Sequence, residues 1–158
     1  MSSRINRKKI GVGVLVAAAV GLFANGPIAA AQSLDFEFYR TRVEPILLKK
    51  RGDHARCYSC HEGATNGLRL ESLSPGSTSW TEEQSRKNFQ TISRIVVPGR
   101  PTTSRFLLHP LAPEAGGDPG PIGMHHGGRQ FETQNDPDWK TFAEWVQGAK
   151  AGPAAGRY

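Results

Sequence analysis

Five consecutive residues, Cys57-Tyr58-Ser59-Cys60-His61, constrain this chain more than any other feature, because they hold both of its cysteines. The C-x-x-C-H spacing is typical of a c-type haem attachment site. Two thiols three positions apart can each add to one vinyl group of a haem, and the adjacent imidazole reaches the iron from the same side. The motif therefore predicts one covalent haem c, with Cys57 and Cys60 as thioether anchors and His61 as the proximal iron ligand.

Three other interpretations of the cysteine pair account for less of the motif. A thioredoxin-like dithiol needs a βαβ pattern beside it, and the sequence shows no such alternation. A structural zinc site needs four ligands, commonly from paired cysteine or histidine clusters, whereas this chain has two cysteines. A plain disulfide, which is expected of exported cysteines, leaves His61 unexplained.

The first segment, residues 1–31, is typical of a secretory signal peptide. It has a basic start, an apolar run over 10–24 and small residues at 29–31. The uninterrupted apolar stretch is shorter than the roughly 18 residues expected of a membrane span. We expect cleavage after Ala31 and a periplasmic or extracellular location, which is where haem is attached to such motifs. The alternative is an uncleaved membrane anchor.

Removal of that segment changes the charge balance of the chain. Four of its 20 Lys and Arg residues lie in the segment, so the net charge of +6 falls to about +2 against 14 Asp and Glu. This excess is too small to indicate nucleic-acid binding. Residues 32–158 are enough for one domain, and no repeat or linker indicates a second.

Apolar spacing predicts an amphipathic helix from Asp35 to about Lys49, and we expect Pro45 to break or kink it near Glu44. Gly, Ser and Pro make 63–79 and 112–130 irregular.

Capping signals predict the later helices. Thr81 and Gln84 form a capping-box pattern that opens a helix ending at Pro98-Gly99. A short helix is expected over 103–108. Asp136 as N-cap and Pro137 at the first helical position open the last helix, which is the clearest in the chain.

The order of these parts resembles a class I cytochrome c: an N-terminal helix, the C-x-x-C-H motif, a loop with the distal ligand and a C-terminal helix. More narrowly, the chain is similar to single-haem cytochrome c domains of environmental bacteria, including the planctomycete-type group. The narrower likeness spans about 35–150. It is carried by Phe38-Tyr39-x-x-x-Val43-Glu44-Pro45-Ile46-Leu47, Ser104-x-x-Leu107-Leu108-x-Pro110-Leu111, Gly127-Gly128, Asp136-Pro137-Asp138-Trp139 and Trp145-Val146.

The resemblance implies an all-α, loop-rich, cytochrome c-like fold in residues 32–158, with the terminal helices crossing and packed around the haem. We expect an electron carrier that exchanges single electrons with redox partner proteins, with no membrane span after signal cleavage. A peroxidase-like haem enzyme or a haem-based sensor, with an open or exchangeable sixth position, is the alternative. Arg94, Arg100 and Arg105 are candidate partners of the haem propionates.

The sixth iron ligand is left open among His109, Met124, His125 and His126. Class I relatives place a methionine on a glycine-rich loop before the last helix, and Met124 occupies the comparable place. Its following residue is His125 where those relatives have proline, and the family pattern with histidine before Gly-Gly favours an imidazole. We take His125 as the first candidate and Met124 as the alternative.

Overall fold

Helices joined by turns and irregular segments make up the part of the chain that the structure describes. The computed structural model describes residues 33–65, 67–119 and 125–152. These residues include no strand, only three isolated bridges, and this helix-rich content agrees with the all-α expectation. The helical elements are α1 (Phe36–Phe38), a π-helical turn (Tyr39–Val43), α2 (Glu44–Leu48), α3 (Cys57–His61), α4 (Glu82–Ser93), a 3₁₀ turn (Pro101–Thr103), α5 (Arg105–Leu108), a second 3₁₀ turn (Pro113–Ala115) and α6 (Pro137–Val146).

The first helical segment stays continuous through Pro45. The Asp35 carboxylate caps α1 by accepting a hydrogen bond from the Phe38 backbone N–H at 2.7 Å. The π-helical turn then widens the winding, and the Glu44 N–H donates to the Tyr39 carbonyl. Pro45 consequently lies in the first turn of α2, where its missing N–H is tolerated. The helix changes its winding at Glu44 instead of breaking there.

Both longer helices begin where their capping residues predict. Thr81 Oγ1 accepts from the Gln84 N–H at 3.3 Å, and Gln84 Oε1 accepts from the Thr81 N–H at 2.9 Å. At α6, Asp136 Oδ1 accepts from the N–H groups of Asp138 and Trp139. The C-terminus of α4 was predicted at Pro98-Gly99, but the regular helix ends earlier, at Ser93, and a turn leads from there to Pro98.

The short helix expected over 103–108 is divided by Ser104. This buried residue has an extended backbone, and its Oγ donates to the Arg100 carbonyl at 2.8 Å and accepts from the Val97 N–H at 2.8 Å. The preceding residues form a 3₁₀ turn, so α5 begins at Arg105 and not at Thr103.

The two ends of the described chain pack together through aromatic side chains. The Tyr39 ring centroid lies 5.5 Å from those of Trp145 on α6 and Phe89 on α4. The Trp145 indole N–H also donates to the Asp35 carbonyl at 2.9 Å. Tyr39 and Trp145 are fully buried, so this contact fixes the first helical segment against the last helix.

The expected signal segment, 1–31, lies outside the described residues, so its cleavage stays a prediction. Among the helices described, none has both the length and the apolar character that crossing a membrane requires.

Candidate functional site

A cavity of about 430 Å³ opens beside the C-x-x-C-H motif. Its volume lies in the range of about 300–1,000 Å³ that is usual for cofactor and ligand sites. Helices from both ends of the chain and the segments between them supply its apolar wall, namely Leu47, Ile95, Phe106, Phe131 and Phe142. Its polar side is formed by the motif and by later residues, namely His61, Arg105, His109 and His125.

The motif forms a helical turn of its own, and this turn aims His61 at the cavity. His61 is 9% exposed, and its Nδ1 lies 2.8 Å from the Leu68 carbonyl oxygen. The backbone of the motif is fixed as well, because the Leu70 N–H donates to the His61 carbonyl at 2.8 Å. A proton on Nδ1 leaves the Nε2 lone pair free to bind a metal.

The two cysteines have different surroundings, and both thiols are free. Cys57 lines the cavity, and burial raises the pKa of its thiol to about 11. Cys60 is exposed. The chain after His125 passes close to it, since a Cβ atom added to Gly127 would lie 3.8 Å from Cys60 Sγ.

His125 lies across the cavity from His61. The centroids of the two imidazoles are 6.0 Å apart, with 30° between the ring planes. His125 Nδ1 lies 2.6 Å from the Gly128 carbonyl oxygen, so its Nε2 is also free for a ligand bond. Burial lowers the pKa of His125 below its usual value, and this favours the neutral imidazole that metals bind.

This separation leaves room for one metal ion between the two imidazoles. Metal–imidazole nitrogen bonds are about 2.0–2.1 Å long, and the ring centroid lies about 1.1 Å behind its nitrogen, so opposed rings on one ion have centroids about 6 Å apart. Among the described residues, no group of three or more His, Cys, Asp or Glu forms a metal site. His61 and His125 are therefore the two protein side chains that would hold a metal ion in this cavity.

The other candidate ligands are placed differently. His109 lines the cavity, with its ring centroid 5.3 Å from that of His125 and its Nδ1 3.2 Å from the Asp118 carboxylate. His126 is exposed. Met124 lies outside the described residues. Of the three arginines proposed as propionate partners, Arg105 lines the cavity, and Arg94 and Arg100 are not among its lining residues.

Sequence reasoning missed the residue that holds the His125 segment against the motif. Gln130 is buried, and its Nε2 donates to the carbonyls of Ala55 at 3.2 Å and Gly127 at 3.1 Å. The Arg51 Nε also donates to the Gln130 carbonyl at 3.3 Å. A glutamine in a glycine-rich stretch gives no local signal for such a role, because Ala55 and Arg51 are distant from it in sequence.

Comparisons with known proteins give no match to this chain, whether with protein-family models, curated proteins or solved structures. The functional argument therefore depends on the motif and on the geometry around it.

Proposed function

We propose that this protein is an exported mono-haem c-type cytochrome that carries single electrons. Cys57 and Cys60 would anchor the haem through thioether bonds, and His61 and His125 would be the two protein ligands of its iron. The observation that carries the proposal is the pair of imidazoles 6.0 Å apart across a cavity that Cys57 lines. When bound there, a haem c supplies reversible one-electron chemistry at its iron.

The hydrogen bonds of the two histidines support this assignment. Each ring has its Nδ1 at a backbone carbonyl, that of Leu68 for His61 and that of Gly128 for His125. Such partners fix the tautomer and the ring orientation of a metal-binding histidine. Both rings would therefore be held ready to bind through Nε2.

Two imidazoles would also set the reduction potential. A methionine ligand raises the potential of a c-type haem relative to a second histidine, so ligation by His125 in place of Met124 favours a lower potential. Arg105, on the polar side of the cavity, would supply a positive charge suited to a haem propionate.

The fold proposed for residues 32–158 is the cytochrome c-like arrangement. Its support is the contact between Tyr39 and Trp145, which joins the terminal helices, together with Leu47 and Phe142, which bring both ends of the chain to the cavity wall. With residues 1–31 as a signal peptide, the protein would act in the periplasm or outside the cell. Its partners would be an electron-donating and an electron-accepting protein.

Purification of the exported protein followed by a pyridine haemochrome spectrum tests the proposal. We expect one covalently bound haem c per chain, and loss of covalent attachment in the Cys57→Ser/Cys60→Ser variant. Ser59→Ala, between the two cysteines, is the matched control and should retain the haem. Protein that contains no covalent haem when produced together with a haem-ligation system would contradict the proposal.

Carbon monoxide distinguishes an electron carrier from a haem enzyme. With both axial positions held by histidines, the reduced protein should bind carbon monoxide slowly or not at all. Rapid binding without displacement of a protein ligand would favour catalysis or ligand sensing at an open sixth position.

A further inference from the structure

Glu44, at the start of α2, is a buried acid outside the cavity wall. It is 5% exposed, and its Oε1 accepts a hydrogen bond from Ser85 Oγ on α4 at 3.0 Å. Its second oxygen, Oε2, is buried without a hydrogen-bond partner in the described structure. A buried ionised carboxylate is costly unless it is paired and hydrogen-bonded, so the protonation state of this group depends on its surroundings.

Two other buried polar atoms without hydrogen-bond partners lie on the helical segments that carry Glu44 and Ser85. Tyr39 Oη and Asn88 Nδ2 are buried and unpartnered, and with Glu44 Oε2 they make three of the four such side-chain atoms found among the described residues. Asn88 lies one helical turn after Ser85, so the two share a face of α4. We call Tyr39, Glu44, Ser85 and Asn88 the polar core cluster.

Within this cluster, Glu44 is the group suited to exchange a proton. Burial raises the pKa of Glu44 above its ordinary value, and the hydrogen bond from Ser85 and the charge of Arg40 oppose this rise. Burial and the nearby Glu44 also raise the pKa of Tyr39, which keeps the phenol neutral. Arg40 is thus the charged group that acts on Glu44 from its own helical segment, Tyr39 stays neutral, and α4 presents Ser85, which does not titrate.

The helix that carries Glu44 also forms part of the cavity wall. Leu47 lines the cavity and follows Glu44 by three residues, a spacing that places Cβ atoms about 5–6 Å apart on one helix face. Charges interact more strongly in the protein interior than in water. An electron added inside this cavity would therefore favour a proton on Glu44.

We infer that Glu44 is a buried proton-binding site whose occupancy is coupled to the oxidation state of the haem proposed for the adjacent cavity. The inference rests on the proposed function. When the bound haem accepts one electron from the donor protein, the Glu44 carboxylate would take one proton from solvent and become a carboxylic acid. Oxidation reverses both transfers, so only the O–H bond of Glu44 forms and breaks.

Redox titration of the holoprotein across pH tests the coupling. We expect the midpoint potential to fall as pH rises through the interval in which Glu44 deprotonates, with a limiting slope of one proton per electron. Glu44→Gln should remove that slope. Ser85→Ala should move the interval to higher pH. The hydrogen bond from Ser85 favours the carboxylate, so its removal raises the pKa of Glu44. Glu144→Gln, at an exposed position of α6, is the control and should behave as the wild type.

Infrared difference spectra give a second readout. The reduced-minus-oxidised spectrum should contain a carboxylic-acid carbonyl band that disappears in Glu44→Gln and shifts in Ser85→Ala. If the protein contains covalent haem but its midpoint potential depends on pH in the same way in wild type and Glu44→Gln, the proton site alone is overturned. Absence of covalent haem would overturn the proposed function and this inference with it.

Discussion

Arg51 and Asp136 form an ion pair that joins the segment before the C-x-x-C-H motif to the N-cap of the last helix. Arg51 Nη2 lies 2.5 Å from Asp136 Oδ2, and Nη1 contacts the Asp138 carboxylate. The guanidinium also stacks over the Phe131 ring, 4.5 Å from its centroid. Since Phe131 lines the cavity, this one side chain holds the motif, the cavity wall and α6 in a fixed relation.

Replacement of Arg51 by alanine should destabilise the holoprotein by about 2 kcal/mol. Breaking a fully buried pair costs about 3–5 kcal/mol, and the partial exposure of this group, 13% for Arg51 and 24% for Asp136, lowers the expected loss. Lys49→Ala is the control, because Lys49 pairs with Asp138 from a side chain that is 55% exposed. Its loss should stay below about 1 kcal/mol. Urea unfolding measures both, and equal losses would contradict the prediction.

Asp136 makes part of this stability dependent on pH. Burial alone would raise its pKa, but hydrogen bonds from Arg51 and from the N–H groups of Trp139 and Asp138 outweigh burial and hold the pKa below its usual value. The stabilisation is therefore present above the unfolded pKa of about 3.9 and is lost as pH falls through the lower folded value.

Asp136→Asn removes the negative charge but keeps a side chain that can cap the helix, since asparagine is also a good N-cap. The variant should be less stable than the wild type at pH 7, and the difference should shrink at the acid end of the titration. Urea unfolding midpoints across pH measure this. A difference that stays constant at every pH would show that the Asp136 charge contributes nothing.

Local signals in the sequence were enough to predict where α4 and α6 begin and to identify the C-x-x-C-H motif. Thr81 with Gln84, and Asp136 with Pro137, act on backbone groups within three residues, so no distant contact is needed to predict them. The effect of Pro45 was predicted less well. Proline was expected to break or kink the helix near Glu44. The winding does change at Glu44, but the helix continues, because the preceding π-helical turn accommodates the proline.

Features that depend on distant partners could not be predicted in this way. Ser104 divides the expected helix because it bonds backbone groups of Val97 and Arg100. Glu44 was assigned no role, because its burial depends on packing against Ser85 of another helix. The sequence left four candidate distal ligands, and the distance between His61 and His125 is a property of the folded chain.

A methyl group at Gly117 should be poorly tolerated. A Cβ atom there would lie 2.0 Å from the Leu111 carbonyl oxygen and 2.6 Å from its carbon. Backbone atoms cannot rotate away as a side chain can, so Gly117→Ala should cost about 1–3 kcal/mol. Gly152→Ala, where nothing lies within 4 Å, is the control and should change stability little. Thermal unfolding compares the two, and a neutral Gly117→Ala would contradict the close approach.

Variants of the candidate distal ligands should differ in their spectra. His125→Ala should lose the six-coordinate, low-spin spectrum and gain rapid carbon monoxide binding. His126→Ala, at the exposed neighbouring position, and Met124→Ala should remain low-spin. Loss of the low-spin spectrum in Met124→Ala, with His125→Ala unaffected, would assign the methionine instead. His109→Ala should remain low-spin if His109 is only a neighbour of His125.

The apoprotein should be largely unfolded, because without a bound haem the apolar side chains that line the cavity are left facing water. Leu47, Phe106 and Phe142 are among them, and each fully exposed side chain of this kind costs about 1.5–3 kcal/mol. Several such losses are a large share of the whole stability of a domain, which is about 5–15 kcal/mol. Far-UV circular dichroism of Cys57→Ser/Cys60→Ser, made without haem ligation, should lack the native helical signal. A native spectrum with a cooperative thermal transition would show instead that the packing of Tyr39, Phe89 and Trp145 is sufficient to fold the chain.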